Sequence, residues 1–204
     1  MKVIKAKTAG FCFGVKRAVD TVYKQVDTKC GQIYTYGPII HNEEVIKDMR
    51  DKGVIVLRSE EDLDMISQGT VIIRSHGVEK RIYEKIEQKG LRIVDATCPF
   101  VKKIHNIVSE KSGEGFHIII IGNPEHPEVV GIKGWAKDNV TVIQSAEDAE
   151  CFTADRKEKI CIVSQTTFNY NKFKDLVEIL SKKRYDNTVL NILNILNTIC
   201  NATE

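Results

Sequence analysis

The sequence predicts an α/β fold made of repeated small units, each with a parallel sheet. Short apolar runs such as residues 71–74 and 160–163 alternate with amphipathic stretches such as residues 80–89. The runs suit β-strands, and the stretches place apolar residues three and four positions apart, as one face of a helix requires. This alternation is typical of parallel sheets covered by helices, because a parallel connection needs a long crossover.

The alternation continues along most of the chain. Val, Ile and aromatic residues mark the predicted strands, which are residues 3–6, 32–36, 54–57, 71–74, 92–94, 117–121, 140–143 and 160–163. Helical spacing of apolar residues marks the predicted helices, which are residues 12–23, 43–52, 80–89, 100–111, 128–135 and 171–183.

An internal repeat divides this series of elements. Cys12 is followed by His41 at almost the same spacing as Cys98 is followed by His126. In both cases a later strand ends in Ser and small or polar residues. Two similar units are therefore predicted, the first over residues 1–97 and the second over residues 98–196.

The last residues resemble the opening of a third unit. The sequence Thr-Ile-Cys200-Asn is similar to Ala-Thr-Cys98-Pro. Residues 197–204 are therefore predicted to begin a third unit, and the chain is predicted to be a fragment that lacks the rest of it. A tandem repeat of Leu-Asn-Ile within residues 189–197 makes the segment before Cys200 the least predictable.

Composition and charge disfavour some classes of function. The 204 residues are 42% hydrophobic and 28% charged, and their net charge of +2 gives no indication of a nucleic-acid or membrane partner. The sequence shows neither a signal peptide nor an apolar run of the roughly 20 residues that span a membrane. A cytoplasmic location is expected, where spaced cysteines are more often metal ligands or catalytic groups than disulfides.

Three of the six cysteines lie in matching contexts. Cys12 follows a predicted strand and opens a helix, where free N–H groups and the helix dipole stabilise a thiolate. Cys98 repeats this arrangement, with Thr97 as a predicted N-cap and Pro99 in the first turn, and Cys200 is the third. One cysteine per unit predicts a metal centre where the units meet. The remaining cysteines are interpreted as structural: Cys30, Cys151 and Cys161.

The spacing of the cysteines does not by itself settle the metal. Structural zinc normally takes four ligands, often as closely spaced pairs, and the sequence has no Cys-x-x-Cys pair. Three cysteines instead suggest a four-iron cluster with one iron open to a substrate.

Three histidines and one glutamate are placed for anion binding and acid catalysis. His41, His76 and His126 follow predicted strands, at the edge where open α/β sheets bind ligands. With Ser75 they predict an anion pocket. Glu128, two residues after His126, is the candidate proton donor. Further polar donors are predicted at the same rim: Gln165, Thr166 and Thr167.

Seven motifs resemble, in order, those of the 4-hydroxy-3-methylbut-2-enyl diphosphate reductase family, and they cover essentially the whole chain. They are Gly10-Phe-Cys12-Phe-Gly-Val, Gly37-Pro-Ile-Ile-His41-Asn, Ser75-His76-Gly-Val, Asp95-Ala-Thr-Cys98-Pro, His126-Pro-Glu128-Val, Ser164-Gln-Thr166-Thr167 and Thr198-Ile-Cys200-Asn-Ala-Thr203.

The resemblance implies a trefoil arrangement of three α/β domains, two of which this chain would contain, around a [4Fe–4S] cluster held by Cys12, Cys98 and Cys200. It implies an oxidoreductase of isoprenoid biosynthesis by the non-mevalonate pathway. The enzyme would remove the substrate's hydroxyl group with two electrons and two protons, giving isopentenyl and dimethylallyl diphosphate. The electrons would come from a donor of the ferredoxin or flavodoxin type.

The resemblance also implies roles for the polar residues. The three histidines would bind the diphosphate, and Glu128, assisted by Thr166, would deliver the proton to the substrate. The family continues into a third domain with a Ser-x-Asn-Ser motif that binds the diphosphate. That motif does not occur after Cys200 here, so this chain as it stands is expected to be inactive.

Two other readings of the cysteines remain open. A thiol-based redox sensor would form a reversible disulfide between Cys12 and Cys98. A zinc-binding α/β protein would use Cys and His ligands.

Overall fold

A computed structural model describes residues 3–4, 9–28, 31–154, 158–183, 191–196 and 198–200. Its internal contacts divide the chain into two units. The first combines Met1–Ser75 with Gly90–Cys98, and the second combines His76–Lys89 with Pro99–Glu204. The segment His76–Lys89, which sequence reasoning placed in the first unit, thus groups with the second, while Cys98 groups with the first.

The first unit contains a four-stranded sheet in which all strands are parallel. Its strands are β1 (Ile33–Tyr36), β2 (Ile55–Leu57), β3 (Thr70–Ile73) and β4 (Arg92–Asp95), in the spatial order β2-β1-β3-β4. Its helices are α1 (Phe13–Thr28), α2 (Glu43–Asp51) and α3 (Glu60–Asp64).

The core of the first unit lies between this sheet and its helices. Every residue of β3 is buried, and its last three residues, 71–73, are therefore all apolar and do not alternate with polar ones. Ala18 and Val22 of α1 and Met49 of α2 pack in one cluster with Ile33 and Ile72 of the sheet. Burial of this helix face stabilises the helices more than their intrinsic propensity does.

The second unit repeats the same sheet. Its strands are β5 (Phe116–Ile121), β6 (Val140–Ile143), β7 (Lys159–Ser164) and β8 (Asn191–Ile195), all parallel and in the order β6-β5-β7-β8. Its helices are α4 (Lys80–Gln88), α5 (Pro99–Gly113), α6 (Pro127–Lys133), α7 (Ala146–Cys151) and α8 (Tyr170–Lys182).

Helices cover both faces of this second sheet. Ile119 and Ile121 share one core cluster with Phe173 of α8, whereas Ile118 and Ile120 belong to another. This second cluster also holds apolar residues of α5 and α6. Successive side chains of a strand point to opposite faces, so one Ile run supplies both cores.

The two sheets place equivalent residues at their carboxyl edges. Tyr36 of β1 is paired with Ile73 of β3, and Ile121 of β5 is paired with Ser164 of β7. Counting on from these pairs makes Ser75 equivalent to Thr166. In open parallel sheets, ligands bind beyond the strand ends where the chain order reverses, which here is between β1 and β3 and between β5 and β7.

The predicted fold class, an α/β protein of repeated parallel-sheet units, is confirmed by this architecture. The strand predicted over residues 3–6 is not found at Val3 and Ile4, whose side chains are 85% and 79% exposed; its other residues lie outside the described part. Apolar composition misled the prediction there, because a strand also needs a partner.

Three elements were missed by sequence reasoning: α3, α7 and β8. Both helices begin at a serine whose side chain accepts a hydrogen bond from a backbone N–H three residues on, Ser59 from Asp62 and Ser145 from Asp148. This Ser-x-x-acid pattern is the available signal.

Within the described residues, none of the helices is long and apolar enough to cross a membrane.

Truncating Ile72 should destabilise the protein strongly. Ile72 is fully buried in the core of the first unit, so Ile72→Ala leaves a cavity and should lower the free energy of unfolding by about 2 to 5 kcal/mol. Ile55→Ala is the matched control, because Ile55 is 47% exposed and should lose much less. Urea unfolding measures both, and equal losses would contradict this description of the core.

Candidate functional site

The first two predicted ligands each lie directly before a helix. Cys12 is exposed and precedes α1, and Cys98 is partly exposed and precedes α5. The N–H of Cys98 donates to the carbonyl oxygen of Ser75 at 2.9 Å. Because α5 begins at Pro99, Cys98 and not the predicted Thr97 occupies the position before the helix.

The sulfur of Cys98 lies against the first turn of α1, the helix that Cys12 precedes. A Cβ placed on Gly14 would be 2.5 Å from the Sγ of Cys98, so any other residue at this position would require that sulfur to shift. Arg17 of the same helix donates to the carbonyl oxygens of Thr97 at 2.8 Å and of Asp95 at 3.2 Å. Sequence reasoning noted Gly14 only as part of the motif around Cys12 and gave no role to Arg17, which follows Cys12 by five residues.

The third predicted ligand occupies the matching position of the second unit. The N–H of Cys200 donates to the carbonyl oxygen of Thr166 at 2.8 Å. The N–H of Cys98 makes the same bond to Ser75, the equivalent of Thr166. Cys98 and Cys200 are therefore equivalent residues of the repeat, as the similarity of their flanking sequences indicates.

The cysteines interpreted as structural lie in different environments. Cys161 is fully buried in the core of the second unit, and this burial raises the pKa of its thiol to about 11. Cys151 is exposed at the end of α7. Cys30 lies outside the described residues.

Glu128 is a buried acid with two hydrogen bonds from a single residue. It is 1% exposed in the first turn of α6. Its Oε1 accepts from the backbone N–H of Thr166 at 2.6 Å, and its Oε2 accepts from the Thr166 hydroxyl at 2.8 Å. The structure therefore brings together the candidate proton donor and the threonine expected to assist it.

Burial raises the pKa of the Glu128 carboxyl above its ordinary value, and the two hydrogen bonds from Thr166 oppose that shift in part. Desolvation is the larger effect, since a buried carboxylate loses its hydration. A carboxyl group with a raised pKa keeps its proton at a higher pH, as a general acid requires.

The residues of the first unit that are equivalent to Glu128 and Thr166 have different surroundings. The equivalent of Glu128 in the first unit is Glu43, two residues after His41, and it is exposed. Ser75, the equivalent of Thr166, instead donates its hydroxyl to the carbonyl oxygen of Ile39 at 3.0 Å. Ser75 thus holds the loop before His41 through its hydroxyl group, and its part in an anion pocket stays a prediction.

Two of the three candidate histidines meet in the second unit. The rings of His76 and His126 are 5.7 Å apart and nearly perpendicular. His126 is the N-cap of α6, and its Nδ1 accepts from the N–H of Glu128 at 3.2 Å. This bond requires the tautomer that carries its proton on Nε2. His41 lies in the first unit, exposed and directly before Asn42, the N-cap of α2.

Trp135 holds the segment that follows His76. Its indole N–H donates to the carbonyl oxygen of Val78 at 2.9 Å. Its ring contacts Tyr83 of α4 edge-on and stacks on His105 of α5, at centroid distances of 5.7 and 5.0 Å. Sequence reasoning assigned no role to this tryptophan, and no motif marks it.

The polar residues after β7 form a small network. The side-chain oxygen of Gln165 accepts from the N–H of Asn123 at 3.1 Å, and its amide nitrogen donates to Thr167 Oγ1 at 2.7 Å. Gln165 thereby joins the loop after β5 to the loop after β7, which carries Thr166.

In the part of the chain that the structure describes, no three His, Cys, Asp or Glu side chains converge closely enough to hold a metal ion. Together, the fold and the site define a class: a repeated α/β protein that presents cysteines before its helices and a buried acid in the first turn of a helix.

Comparisons with known proteins place the chain within this class. Residues 3–204 match the family described as LytB protein, and the chain belongs to that family.

Curated relatives carry the name 4-hydroxy-3-methylbut-2-enyl diphosphate reductase. The protein of Caldanaerobacter subterraneus subsp. tengcongensis is 45% identical over the whole of this chain, which covers 68% of that relative. The protein of Clostridioides difficile is 42% identical, and the chain covers 70% of it. The chain thus spans about two thirds of the length of these relatives.

Solved structures of reductases with similar names superpose on this chain. The E-1-hydroxy-2-methyl-but-2-enyl-4-diphosphate reductase of Plasmodium falciparum superposes with a TM-score of 0.85 at 30% identity, over 97% of this chain and 60% of that one. A reductase described as the terminal enzyme of the non-mevalonate pathway gives 0.80 at 37% identity, over 98% of this chain and 68% of that one.

The raised pKa of Glu128 should make stability depend on pH. Between the ordinary carboxyl pKa and the raised one, the unfolded chain loses a proton that the folded chain keeps. Glu128 therefore contributes a free energy of unfolding that is fully present below the ordinary pKa and is lost as pH rises through the raised pKa. In urea unfolding from pH 4 upward, Glu128→Gln should remove this fall. Parallel curves for the two proteins would contradict the raised pKa.

Proposed function

We propose that this chain carries the cluster ligands, the diphosphate-binding histidines and the proton donor of a 4-hydroxy-3-methylbut-2-enyl diphosphate reductase. One observation carries the proposal: a buried Glu128, paired with Thr166, lies two residues from His126 in a chain of the LytB family. The relatives' names supply the reaction, and the site supplies groups that suit it.

The acid chemistry suits the loss of an allylic hydroxyl group. Hydroxide is a poor leaving group, and protonation of its oxygen lets it depart as water. Substrate, two electrons and two protons would give isopentenyl or dimethylallyl diphosphate and water. Protonated Glu128 would donate from Oε2 to Thr166 Oγ1, the reverse of the hydrogen bond between these two atoms in the structure. The Thr166 hydroxyl would then give its own proton to the substrate and take the proton of Glu128.

The cysteines fit an iron–sulfur cluster. None of the three cysteines is buried, and all would act as thiolates: Cys12, Cys98 and Cys200. In a four-iron cluster each thiolate binds a different iron, so the sulfurs need not converge on one ion as they would for zinc. When bound, the cluster would supply electrons and a Lewis-acidic iron.

The histidines would bind the diphosphate. The rings of His76 and His126 are 5.7 Å apart, and the tautomer of His126 carries its proton on Nε2, because Nδ1 accepts from the N–H of Glu128. A hydrogen bond from a neutral imidazole to a charged phosphate is still charge-assisted. His41 would add a third donor from the first unit.

A redox partner and a compartment follow from the same proposal. The reaction consumes two electrons, and a small protein of the ferredoxin or flavodoxin type would deliver them. Free cysteines as ligands need a reducing compartment, so the proposed location is the cytoplasm.

Anaerobic purification, a visible absorption spectrum, and assays of iron, zinc and sulfide test the cluster. The reductase proposal expects a brown protein with iron and sulfide in equal amounts. Bound zinc without colour would favour the zinc protein. A colourless, metal-free chain whose thiol count falls reversibly on oxidation would favour the redox sensor.

The next two tests use a chimera in which this chain replaces the matching part of the Caldanaerobacter subterraneus reductase, since the chain covers 68% of that relative. In the chimera, Glu128→Gln should keep the iron content and lower turnover by about 10²- to 10⁴-fold, because the amide has no proton to give. Glu43→Gln, its exposed equivalent in the repeat, should leave turnover unchanged. Normal turnover of the Glu128 variant would remove this residue from the mechanism.

His126→Asn should weaken substrate binding in the chimera by about 10- to 100-fold, the loss of one hydrogen bond to a charged group. The Asn side chain can still accept from the N–H of Glu128 as an N-cap, so α6 should keep its start. His117→Gln is the control, because His117 bonds to Thr141 and Glu158 and has no proposed part in binding. Unchanged affinity of His126→Asn in calorimetry would refute the diphosphate role.

A further inference from the structure

We propose that Arg17 is a positioning residue that clamps the loop of Cys98 to the first turn of α1, so that Cys12 and Cys98 are held at a fixed spacing before any cluster binds. The role of the two thiols as ligands rests on the proposed function. The clamp itself belongs to the first unit and is tested without a cluster.

The clamp consists of two hydrogen bonds from one guanidinium group. Arg17 Nη1 donates to the carbonyl oxygen of Thr97 and Nη2 to that of Asp95, at 2.8 and 3.2 Å. These carbonyls flank Ala96, which is fully buried. The planar fork of arginine suits two acceptors at once, and a lysine could serve only one of them well.

The loop that Arg17 holds is fixed at its other contacts too. The N–H of Thr97 donates to Asp95 Oδ1 at 2.9 Å and closes a tight turn. The N–H of Cys98 donates to Ser75 at 2.9 Å. Backbone bonds thus tie Cys98 to the sheet, and Arg17 adds the tie to α1.

Gly14 lets the clamp close. Because Gly14 has no side chain, the Sγ of Cys98 can lie 2.5 Å from the point that a Cβ of residue 14 would occupy. A glycine within a helix costs up to about 1 kcal/mol relative to alanine. The close approach of the sulfur is a physical reason for a glycine here.

The second unit anchors its equivalent loop in another way. Thr198 Oγ1 accepts from the N–H of Ser164 at 2.8 Å and donates to the carbonyl oxygen of Ser164 at 2.6 Å. Counting back from Cys98 and Cys200, the equivalent of Thr198 is Ala96, which has no hydroxyl. A threonine ties the loop of Cys200 to β7 of its own sheet, whereas Arg17 ties the loop of Cys98 to the helix that Cys12 precedes.

The tie from Arg17 to the Cys98 loop also determines how far apart Cys12 and Cys98 lie. The N–H of Lys16 donates to the carbonyl oxygen of Cys12 at 2.9 Å, so the backbone of Cys12 is part of the first turn of α1. Fixing that turn to the Cys98 loop fixes the spacing of the two residues. The first unit would therefore present a preorganised pair of ligands, which lowers the entropy lost when a cluster binds.

The test measures thiol reactivity in the reduced, metal-free chain. Each cysteine is alkylated with iodoacetamide, and mass spectrometry follows the rate at each site. Arg17→Ala should raise the rate at Cys98 about tenfold, since two charge-assisted hydrogen bonds no longer oppose local opening. Exposed Cys151 is the internal reference and should not change. The Cys98 rate in Arg17→Lys should lie between the rates in Arg17→Ala and in the wild type. Lys24→Ala removes an exposed cation of the same helix, and its Cys98 rate should match that of the wild type.

A glycine pair gives an independent test that leaves Arg17 intact. Gly14→Ala should push the sulfur of Cys98 outward and raise its alkylation rate. Gly113→Ala in α5 is the control, because a Cβ there meets nothing within 4 Å, and it should leave the rate unchanged. If Arg17→Ala does not fold, the comparison of Gly14→Ala with Gly113→Ala still tests the clamp.

The clamp is refuted if Cys98 reacts within twofold of the wild-type rate in both Arg17→Ala and Gly14→Ala. Cluster assembly is a separate readout. A wild-type chain that takes up no iron would count against the proposed function, while the alkylation rates would still decide the clamp. With iron bound, Arg17→Ala should lose it to a chelator faster than Lys24→Ala does.

Discussion

Parallel pairing of β1 with β3, and of β5 with β7, is the constraint on which the rest of the structure depends. It brings the ends of two strands to one edge, where the loops that follow exchange hydrogen bonds. In each unit the loop after the fourth strand then docks on this edge through the N–H of a cysteine, Cys98 on Ser75 and Cys200 on Thr166. The position of each thiol is thus a consequence of sheet order and backbone bonding.

The two units share this frame and differ in what they bury at it. Glu128 is buried with Thr166, while its equivalent Glu43 is exposed. Desolvation raises the pKa of Glu128, so the second unit carries a buried carboxyl group that keeps its proton at a higher pH. The other unit supplies the arginine that joins its loop to α1. The two units therefore have the same sheet order and differ in the residues at a few equivalent positions.

Much of the fold could be predicted because its signals are local. Apolar runs such as residues 118–121 and helical spacing such as that of residues 80–89 follow from the period of each element. The short helices α3 and α7 carry little periodicity, and β8 lies within the Leu-Asn-Ile repeat, so they were missed. Among the site residues, Glu128 and His126 could be found from their motif. Arg17 and Trp135 could not, because each acts on a backbone carbonyl distant in sequence.

By itself, the sequence determined the α/β class, the repeat, the family resemblance and the residues able to carry the chemistry, because these depend on residue type, order and period. Only the tertiary structure decided that Glu128 is buried against Thr166, that His76 meets His126, and that the sulfur of Cys98 lies against Gly14. These are contacts between segments far apart in the chain. Their strength depends on burial and geometry, which residue order alone does not specify.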